Sequence, residues 1–201
     1  MSAGDRHRQL LDAALSVFSR KGFKGTTTKE IAAEAGVAEA VIFQHFPSKE
    51  ALYNAVLELN LGAWETEQDA EAIHGYMERS DDEGLIRNFI LRILNSYRAN
   101  AAFHRVAMFA ALEGHEQGIN RLRAQFAPVY KQFKEYVEKR QREGAIVGGD
   151  PFTILTGITG IAHQYGMITN IVDTAISDIP DVVAVEQFTR ILLDGVRKHK
   201  P

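Results

Sequence analysis

The chain has 201 residues, of which 45% are hydrophobic and 24% are charged, and its formal net charge is −3. This length suits one or two domains and allows a sizeable buried core. The absence of cysteine excludes disulfides, thiolate nucleophiles and cysteine-ligated metal sites. The N-terminal residues contain no apolar run after their charges, so we expect no secretory signal and a cytoplasmic location.

Charge differs between the two ends of the chain. Residues 1–50 have a net charge of +1, whereas residues 51–201 have a net charge of −4. A weakly basic head on an acidic body favours an approach of the head toward phosphate. Charge alone supports nucleic-acid binding only mildly, because the head is barely basic.

The first predicted helix spans residues 5–21. Leu10, Ala14, Val17 and Phe18 recur at helical spacing, and Gly22 follows at the position where a glycine ends many helices.

Residues 26–52, which read TTTKEIAAEAGVAEAVIFQHFPSKEAL, predict a helix-turn-helix. Thr27 and Glu30 have the spacing of a capping box, and Gly36 suits the tight turn because a positive φ costs glycine least. The apolar faces of the two helices are formed by Ile31, Ala32 and Ala35 in the first and by Val41, Ile42 and Phe46 in the second. The outer side of the second helix is then free to enter a DNA major groove.

This segment resembles the tetracycline-repressor-like (TetR) transcriptional regulators. The residues that carry the resemblance are Ala13, Ala14, Phe18, Gly22, Thr26, Thr27, Ile31, Ala32, Ala35, Gly36, Val37, His45, Phe46, Lys49, Glu50 and Leu52. They cover the first quarter of the chain at matching spacing, while the rest matches only as a pattern of helices. The resemblance implies a ligand-responsive regulator, usually a repressor, that binds a palindromic operator as a homodimer.

Beyond the helix-turn-helix the chain has the pattern of helices throughout. Pro47 breaks the chain and Ser48 can cap the fourth helix, so we place the boundary between a DNA-binding domain and an effector-binding and dimerisation domain there, at residues 1–48 and 49–201. Further helices are predicted at about residues 82–100, 101–113, 116–143 and 181–198. Without any convincing alternating β pattern, the predicted fold is all-α with about nine helices.

Residues 151–172 contain no Asp, Glu, Lys or Arg. The segment is long enough to cross a bilayer, but three glycines and seven polar residues scattered through it argue against a membrane span. A helix poor in charge is usually buried on more than one side. Either it lies in the core of a monomer, or it and residues 181–198 meet a second copy of the chain, as the final two helices of TetR-like proteins do.

The resemblance also implies which residues contact DNA. Phosphate contacts are expected at the ends of three helices, from Thr26, Thr27, Lys29, His45 and Lys49. Base contacts are expected from the outer side of the third helix, from Glu39, Ala40 and Gln44. A glutamine can pair with adenine in bidentate fashion. Each of these residues is also an ordinary surface residue, and that interpretation stays open.

Three residues depart from the family pattern. Ala38 lies where a Ser or Thr cap is common. The loss of the capping oxygen lowers stability by about 0.5–2 kcal/mol. Phe43 lies where a Tyr is usual, so a hydroxyl that could contact phosphate is missing. Glu39 suits the helix dipole but repels phosphate. Weaker or differently tuned DNA binding is the expected consequence.

In this family the body binds a small molecule. Candidate lining residues are Trp64, Phe89, Ile93, Tyr97, Phe103, His104, Met108, Leu112, Phe126, Tyr130, His163 and Tyr165. Apolar walls with a few polar tips are typical of ligand pockets and indicate a lipophilic or aromatic effector, although aromatic residues at helical spacing are also ordinary core. The two histidines each need a polar partner, either inside the protein or on the ligand. The fourth helix begins at Lys49 and continues toward the pocket, so we expect it to transmit effector binding to the DNA contacts.

The sequence also bears on two other function classes. An enzyme is not expected, because the chain lacks a Gly-rich phosphate loop, a GxSxG or HExxH motif and a nucleophile next to a base. Residues 113–116, which read EGHE, are weak candidates for metal ligands, and we predict neither a metal nor a cofactor. The second alternative is a ligand-binding or interaction module whose helix-turn-helix no longer binds DNA.

Overall fold

The computed structural model describes residues 3–62, 67–172 and 179–196. Within these ranges the chain forms ten α-helices and one π-helical turn, Ile168–Val172, without a β-strand. The α-helices are α1 Ala3–Lys21, α2 Thr28–Glu34, α3 Glu39–His45, α4 Lys49–Gly62, α5 Glu67–Glu78, α6 Asp82–Ala99, α7 Ala101–Leu112, α8 Glu116–Arg142, α9 Pro151–Met167 and α10 Asp181–Val196. The predicted all-α fold is confirmed.

Most helix boundaries agree with the sequence patterns to within two residues. The Ser48 hydroxyl accepts the backbone N–H of Ala51 at 3.0 Å, which is the predicted cap of α4. Helix α5 has no predicted counterpart, and the segment predicted at residues 151–172 divides into α9 and the π-helical turn. Residues 197 and 198 of the last predicted helix lie outside the described residues.

The chain divides into two compact units, one of residues 1–64 and 100–125 and the other of residues 65–99 and 126–201. In the first unit a single hydrophobic core joins the helix-turn-helix to α1, α4 and α7. Its fully buried side chains include Phe18 and Tyr53, whose rings meet edge to face at 4.9 Å. This unit extends beyond residue 48. The predicted division at residue 48, between a DNA-binding and an effector-binding domain, therefore concerns function and stays a prediction.

The second unit is built on α6, which packs against α9 and α10. The inner face of α6 is buried along its whole length and consists of Leu85, Ile86, Phe89, Ile90, Ile93, Leu94 and Tyr97. Near the start of α6 the carboxylate of Asp82 accepts hydrogen bonds from Arg140, at 2.8 and 3.0 Å, and from the Tyr136 hydroxyl at 2.5 Å. These bonds join α6 to the C-terminal part of α8.

In the part of the chain that the structure describes, no helix combines the length and the apolar character that crossing a membrane requires.

Candidate nucleic-acid interface

The N-terminus of α2 is closed by the predicted capping box. The backbone N–H of Glu30 donates to the Thr27 hydroxyl oxygen at 3.2 Å, and the backbone N–H of Thr27 donates to the Glu30 carboxylate at 2.9 Å. The ammonium group of Lys21 lies 2.5 Å from the same carboxylate. This ion pair and the bonds of the cap lower the pKa of Glu30 to about 2. The capping box is confirmed, and Thr27 stays exposed beside it.

The structure differs from the prediction at Thr26. Its side chain is only 1% exposed, and its hydroxyl donates to the carbonyl oxygen of Gly22 at 2.7 Å. The backbone N–H of Thr26 donates to the carbonyl oxygen of Phe23 at 3.4 Å. Because both donors are used inside the protein, Thr26 stabilises the loop before α2 and we remove it from the predicted phosphate contacts.

The turn between α2 and α3 is a Schellman motif. Gly36 has a φ of +66°, and its N–H donates to the carbonyl oxygen of Ala33 at 3.1 Å. The N–H of Val37 donates to the carbonyl oxygen of Ala32 at 3.0 Å, which completes the two-bond pattern. The predicted positive φ at Gly36 is confirmed. This turn fixes the direction in which α3 leaves the core.

Helix α3 has one face in the core and one face outside it. Ile42 is fully buried and Phe46, which follows the helix, is nearly so. The opposite face exposes Glu39, Ala40, Phe43 and Gln44. The predicted base-contacting residues therefore lie together on the outer face, and Phe43 lies among them.

The N-terminus of α3 lacks a side-chain cap, as its sequence predicts. Ala38 occupies the N-cap position and offers no side-chain hydrogen bond. The next residue, Glu39, accepts a hydrogen bond at 2.5 Å from the hydroxyl of Thr28, the first residue of α2. The Glu39 carboxylate therefore lies at the N-terminus of α2, where the predicted phosphate contacts of Thr27 and Lys29 are also placed.

Lys49 holds the loop that leads into α2. Its ammonium nitrogen donates to the carbonyl oxygens of Phe23 at 2.8 Å and Thr26 at 2.7 Å. The same nitrogen lies 4.3 Å from the centre of the Phe23 ring, a cation–π contact. An ammonium group has three N–H donors, so one remains for a phosphate. Lys49 thus has a structural role that the sequence pattern did not reveal.

The other two predicted phosphate contacts lie on the surface. Lys29 is exposed on α2, and His45 is half-buried at the end of α3. The His45 ring lies 5.9 Å from the ring of His7, which in turn packs on Phe46 at 4.7 Å. His7 therefore places a second imidazole beside the end of α3.

Sequence reasoning missed the residue that anchors the loop between α1 and α2. The carboxylate of Glu113, at the C-terminal end of α7, accepts the backbone N–H groups of Phe23 at 3.0 Å and Lys24 at 3.2 Å. The Lys24 ammonium donates to the backbone carbonyl oxygen of Glu113 at 2.9 Å. A side chain on Gly22, whose φ is +70°, would collide with the same carboxylate. No sequence signal joins residues about 90 positions apart.

Comparison with known proteins agrees with this geometry. Residues 10–56 match the model of the bacterial regulatory proteins of the tetR family. The HTH-type transcriptional regulator RutR of Escherichia coli K12 is 26% identical over 197 residues, which cover 96% of this chain and 91% of RutR. The match at residues 10–56 places the head of the chain in the TetR family of transcriptional regulators.

Two further relatives of this chain differ in coverage. The uncharacterized HTH-type regulator YvkB of Bacillus subtilis is 47% identical over 51 residues, which are 25% of this chain and 27% of YvkB. The structure of the ketosteroid transcriptional regulator KstR2 of Mycobacterium tuberculosis superposes with a TM-score of 0.63 at 17% identity, over 98% of both chains. The former is similar over a quarter of this chain, and the latter shares the fold.

The predicted effector-lining residues of the chain fall in both compact units. Phe89, Ile93 and Tyr97 are buried on α6, and Phe103 and His104 are buried on α7. The remaining described candidates are less enclosed: Met108, Tyr130, His163 and Tyr165 are half-buried, and Phe126 is exposed. Trp64 lies outside the described residues.

Leu112 differs from its prediction. Its side chain is 84% exposed at the last position of α7. An apolar side chain that faces water on the outer side of a helix end does not form a pocket wall, so we remove Leu112 from the candidate site.

His163 has an internal partner in the second unit. Its Nδ1 lies 3.3 Å from the hydroxyl oxygen of Tyr97, and the two rings meet at 5.8 Å. Burial lowers the pKa of His163 and raises that of Tyr97. Both groups are therefore uncharged at neutral pH, and the pair presents an aromatic surface with one polar contact.

Tyr165 lines a groove of about 410 Å³ in the second unit. The groove is polar, because Arg98, Asp181, Thr169 and Asn170 form much of its wall. Arg98 and Asp181 form an ion pair at 2.5 Å across it. This groove does not have the apolar walls expected for the predicted effector.

The EGHE segment has structural roles in this regulator. Glu113 binds the α1–α2 loop, as described above, and the Nδ1 of His115 accepts the backbone N–H of Gly118 at 3.1 Å, which caps α8. The Nε2 of His115 lies 3.0 Å from the carboxylate of Glu50. Among the described residues there is no cluster of three or more His, Asp or Glu side chains that could hold a metal ion.

Proposed function

We propose that this chain is a cytoplasmic, ligand-responsive transcriptional regulator that binds a palindromic DNA operator as a homodimer. It acts as a repressor that a small lipophilic or aromatic effector releases from DNA. The observation that carries the DNA-binding part is the division of α3 into a buried face at Ile42 and an exposed face at Ala40, Phe43 and Gln44. A short helix held this way by a tight turn presents its free face to a major groove.

Donors around α2 and α4 supply the phosphate contacts. Thr27 and Lys29 are exposed at the start of α2, Lys49 keeps one N–H donor at the start of α4, and His45 lies at the end of α3. These groups fix the register of the protein on the duplex, while the outer face of α3 contacts the bases.

Exposed apolar side chains on α9 and α10 support the homodimer. Phe152, Val182 and Ile191 are each nearly 60% exposed. Gly157 and Gly160 on α9 have open space beside them, so a second helix can approach closely. We place the dimer interface on residues 151–172 and 181–198, because burial of these side chains against a second copy removes apolar area from water. Two heads then bind the two halves of a palindrome.

The aromatic lining of α6 supports an uncharged effector. Phe89, Ile93 and Tyr97 lie on one face of α6, and His163 contacts Tyr97. A neutral imidazole and a phenol among apolar side chains suit a ligand with little charge and one or two polar groups.

Helix α4 supplies the connection between effector and DNA. Three polar contacts, spaced four residues apart on α4, join it to α8 and its N-cap: Glu50 with His115 at 3.0 Å, Asn54 with Gln117 at 2.9 Å, and Glu58 with Arg121. Helix α8 contributes residues 116–125 to the first compact unit and residues 126–142 to the second. An effector that binds two arrangements of α8 unequally therefore changes the position of α4 and of Lys49.

Selection of bound duplexes from a random DNA pool at low ionic strength tests the proposal. We expect enrichment of a palindrome whose half-sites lie about one helical turn apart. Gln44→Ala should weaken binding to that palindrome. Leu112→Ala, which changes a side chain that is 84% exposed at the end of α7, serves as the matched control. Small molecules are then screened for release of the protein from the selected site.

The oligomeric state has its own test. Ile191→Glu should convert a dimer into monomers in sedimentation equilibrium. Leu112→Glu places the same charge at an exposed apolar residue outside α9 and α10 and should leave the dimer intact. A wild-type monomer at micromolar concentration would exclude the homodimer.

One observation favours the alternative of a helix-turn-helix that no longer binds DNA. The Glu39 carboxylate lies at the N-terminus of α2, beside the expected phosphate contacts, and Ala38 leaves α3 without a cap. If the pool yields no enriched duplex while a small molecule still raises the melting temperature, the chain is a ligand-binding or interaction module.

A further inference from the structure

The outer face of α3 combines apolar and amide side chains without a cation. Helix α3 has the sequence EAVIFQH and contains neither Lys nor Arg. The bidentate contact of Arg or Lys with guanine, the commonest specific contact in a major groove, therefore cannot come from this helix. The exposed side chains are a methyl group at Ala40, a phenyl ring at Phe43 and an amide at Gln44, beside the carboxylate of Glu39.

Phe43 has a large apolar ring that is 51% exposed, whereas the residue before it on the same helix, Ile42, is fully buried. Ala40 and Phe43 are three residues apart, so their side chains are neighbours on the helix surface. Gln44 is four residues from Ala40 and borders the same patch. The patch therefore presents two apolar groups and one amide to whatever lies against α3.

The carboxylate of Glu39 is already engaged, since it accepts the Thr28 hydroxyl at 2.5 Å. This bond joins the Glu39 carboxylate to the first residue of α2.

An A·T base pair offers what the patch can contact. In the major groove thymine presents its C5-methyl group and adenine presents an acceptor and a donor that a glutamine can bind together. We infer that Phe43, with Ala40, contacts thymine methyl groups and thereby selects A·T pairs at the centre of each half-site, while Gln44 contacts a neighbouring adenine. This inference rests on the proposed DNA-binding function and adds Phe43 as a residue that determines its specificity.

Replacement of thymine by deoxyuridine tests the contact, because the two bases differ only by the C5-methyl group. Each thymine of the selected operator is replaced in turn, and the dissociation constant is measured by fluorescence anisotropy. At one or two positions in each half-site we expect affinity to fall about fourfold, the effect of losing one buried methyl group. In Phe43→Ala the same replacement should have no effect at the position that the ring contacts.

Gln44→Ala is the matched control, since it should weaken binding and still show the loss on replacement by deoxyuridine. An operator with G·C pairs at the centre of each half-site, or thymine methyl groups whose removal has no effect, would overturn the inference while the DNA-binding function stands. A sensitivity that is unchanged in Phe43→Ala would overturn it as well. Failure to enrich any duplex would instead refute the proposed function, so the two failures are distinguishable.

Discussion

The ammonium nitrogen of Lys49 lies 2.7 Å from the backbone carbonyl oxygen of Thr26. This contact joins the first residue of α4 to the loop that leads into α2, and a second bond, to the carbonyl oxygen of Phe23, strengthens it. Lys49, which is expected to bind phosphate, therefore also fixes the position of α2. A change at either end of this contact alters both the fold of the head and its fit to DNA.

Lys49→Ala is expected to have two separable effects. It should lower the slope of log affinity against log salt by about 1, because one phosphate contact is lost. It should also lower the free energy of unfolding by about 1–3 kcal/mol, since two carbonyl oxygens lose a charged donor. Fluorescence anisotropy at several salt concentrations measures the first effect, and urea unfolding measures the second.

Lys29→Ala is the control for Lys49, because Lys29 is an exposed lysine on α2. It should lower the salt slope to the same extent and leave the free energy of unfolding within about 0.5 kcal/mol of the wild type. If Lys49→Ala destabilises the protein but does not change the salt slope, Lys49 is purely structural.

Glu113→Ala tests the anchor of the α1–α2 loop. The substitution removes an acceptor from the backbone N–H groups of Phe23 and Lys24, so we expect a loss of about 1–3 kcal/mol in the free energy of unfolding. Hydrogen exchange at these two amides should become faster, and operator affinity should fall because the loop also positions α2. Glu116→Ala removes an exposed carboxylate only three residues away and should change none of the three quantities.

The features that the sequence predicted well depend on neighbours within a few residues. The Thr27–Glu30 capping box and the positive φ at Gly36 need only the local chain, so the pattern of residue types is sufficient. The division of α3 into two faces likewise follows from helical spacing around Ile42. The same holds for most helix boundaries.

The features that the sequence did not predict depend on distant residues or on weak periodicity. The partner of Glu113 lies about 90 residues earlier in the chain, and no spacing rule connects them. The resemblance placed Thr26 at a helix start, but tertiary packing turns its hydroxyl toward Gly22. Helix α5 was missed because it has few large apolar side chains, of which Ile73 is buried.

Arg140→Met is expected to destabilise the second unit strongly. The ion pair of Arg140 with Asp82 is mostly buried, with side-chain exposures of 16% and 12%. Removal of the cation leaves a buried carboxylate whose remaining described partner is the Tyr136 hydroxyl, so we expect a cost of about 3 kcal/mol. The double substitution Asp82→Asn with Arg140→Met should recover part of this loss in urea unfolding.

Arg87→Met provides the comparison, because the pair of Arg87 with Glu186 has exposures of 49% and 59%. An exposed pair of this kind contributes at most about 1 kcal/mol. Equal effects of the two substitutions would show that burial does not govern the ion pair of Arg140.

The stability of the head should depend on pH through Glu30. The Lys21 ammonium and the hydrogen bonds of the capping box lower the folded-state pKa of Glu30 to about 2, below the value of about 4.3 in an unfolded chain. Because the folded-state pKa is the lower one, the stabilisation is complete above the unfolded-state value and is lost as pH falls from about 5 to 2. The melting temperatures of wild type and Glu30→Gln should therefore differ at pH 6 and converge toward pH 2. In a Lys21→Met background the difference in melting temperature at pH 6 should shrink, because the largest cause of the pKa shift is gone. If the wild type and Glu30→Gln differ as much at pH 2 as at pH 6, the effect has a cause other than the ionisation of Glu30.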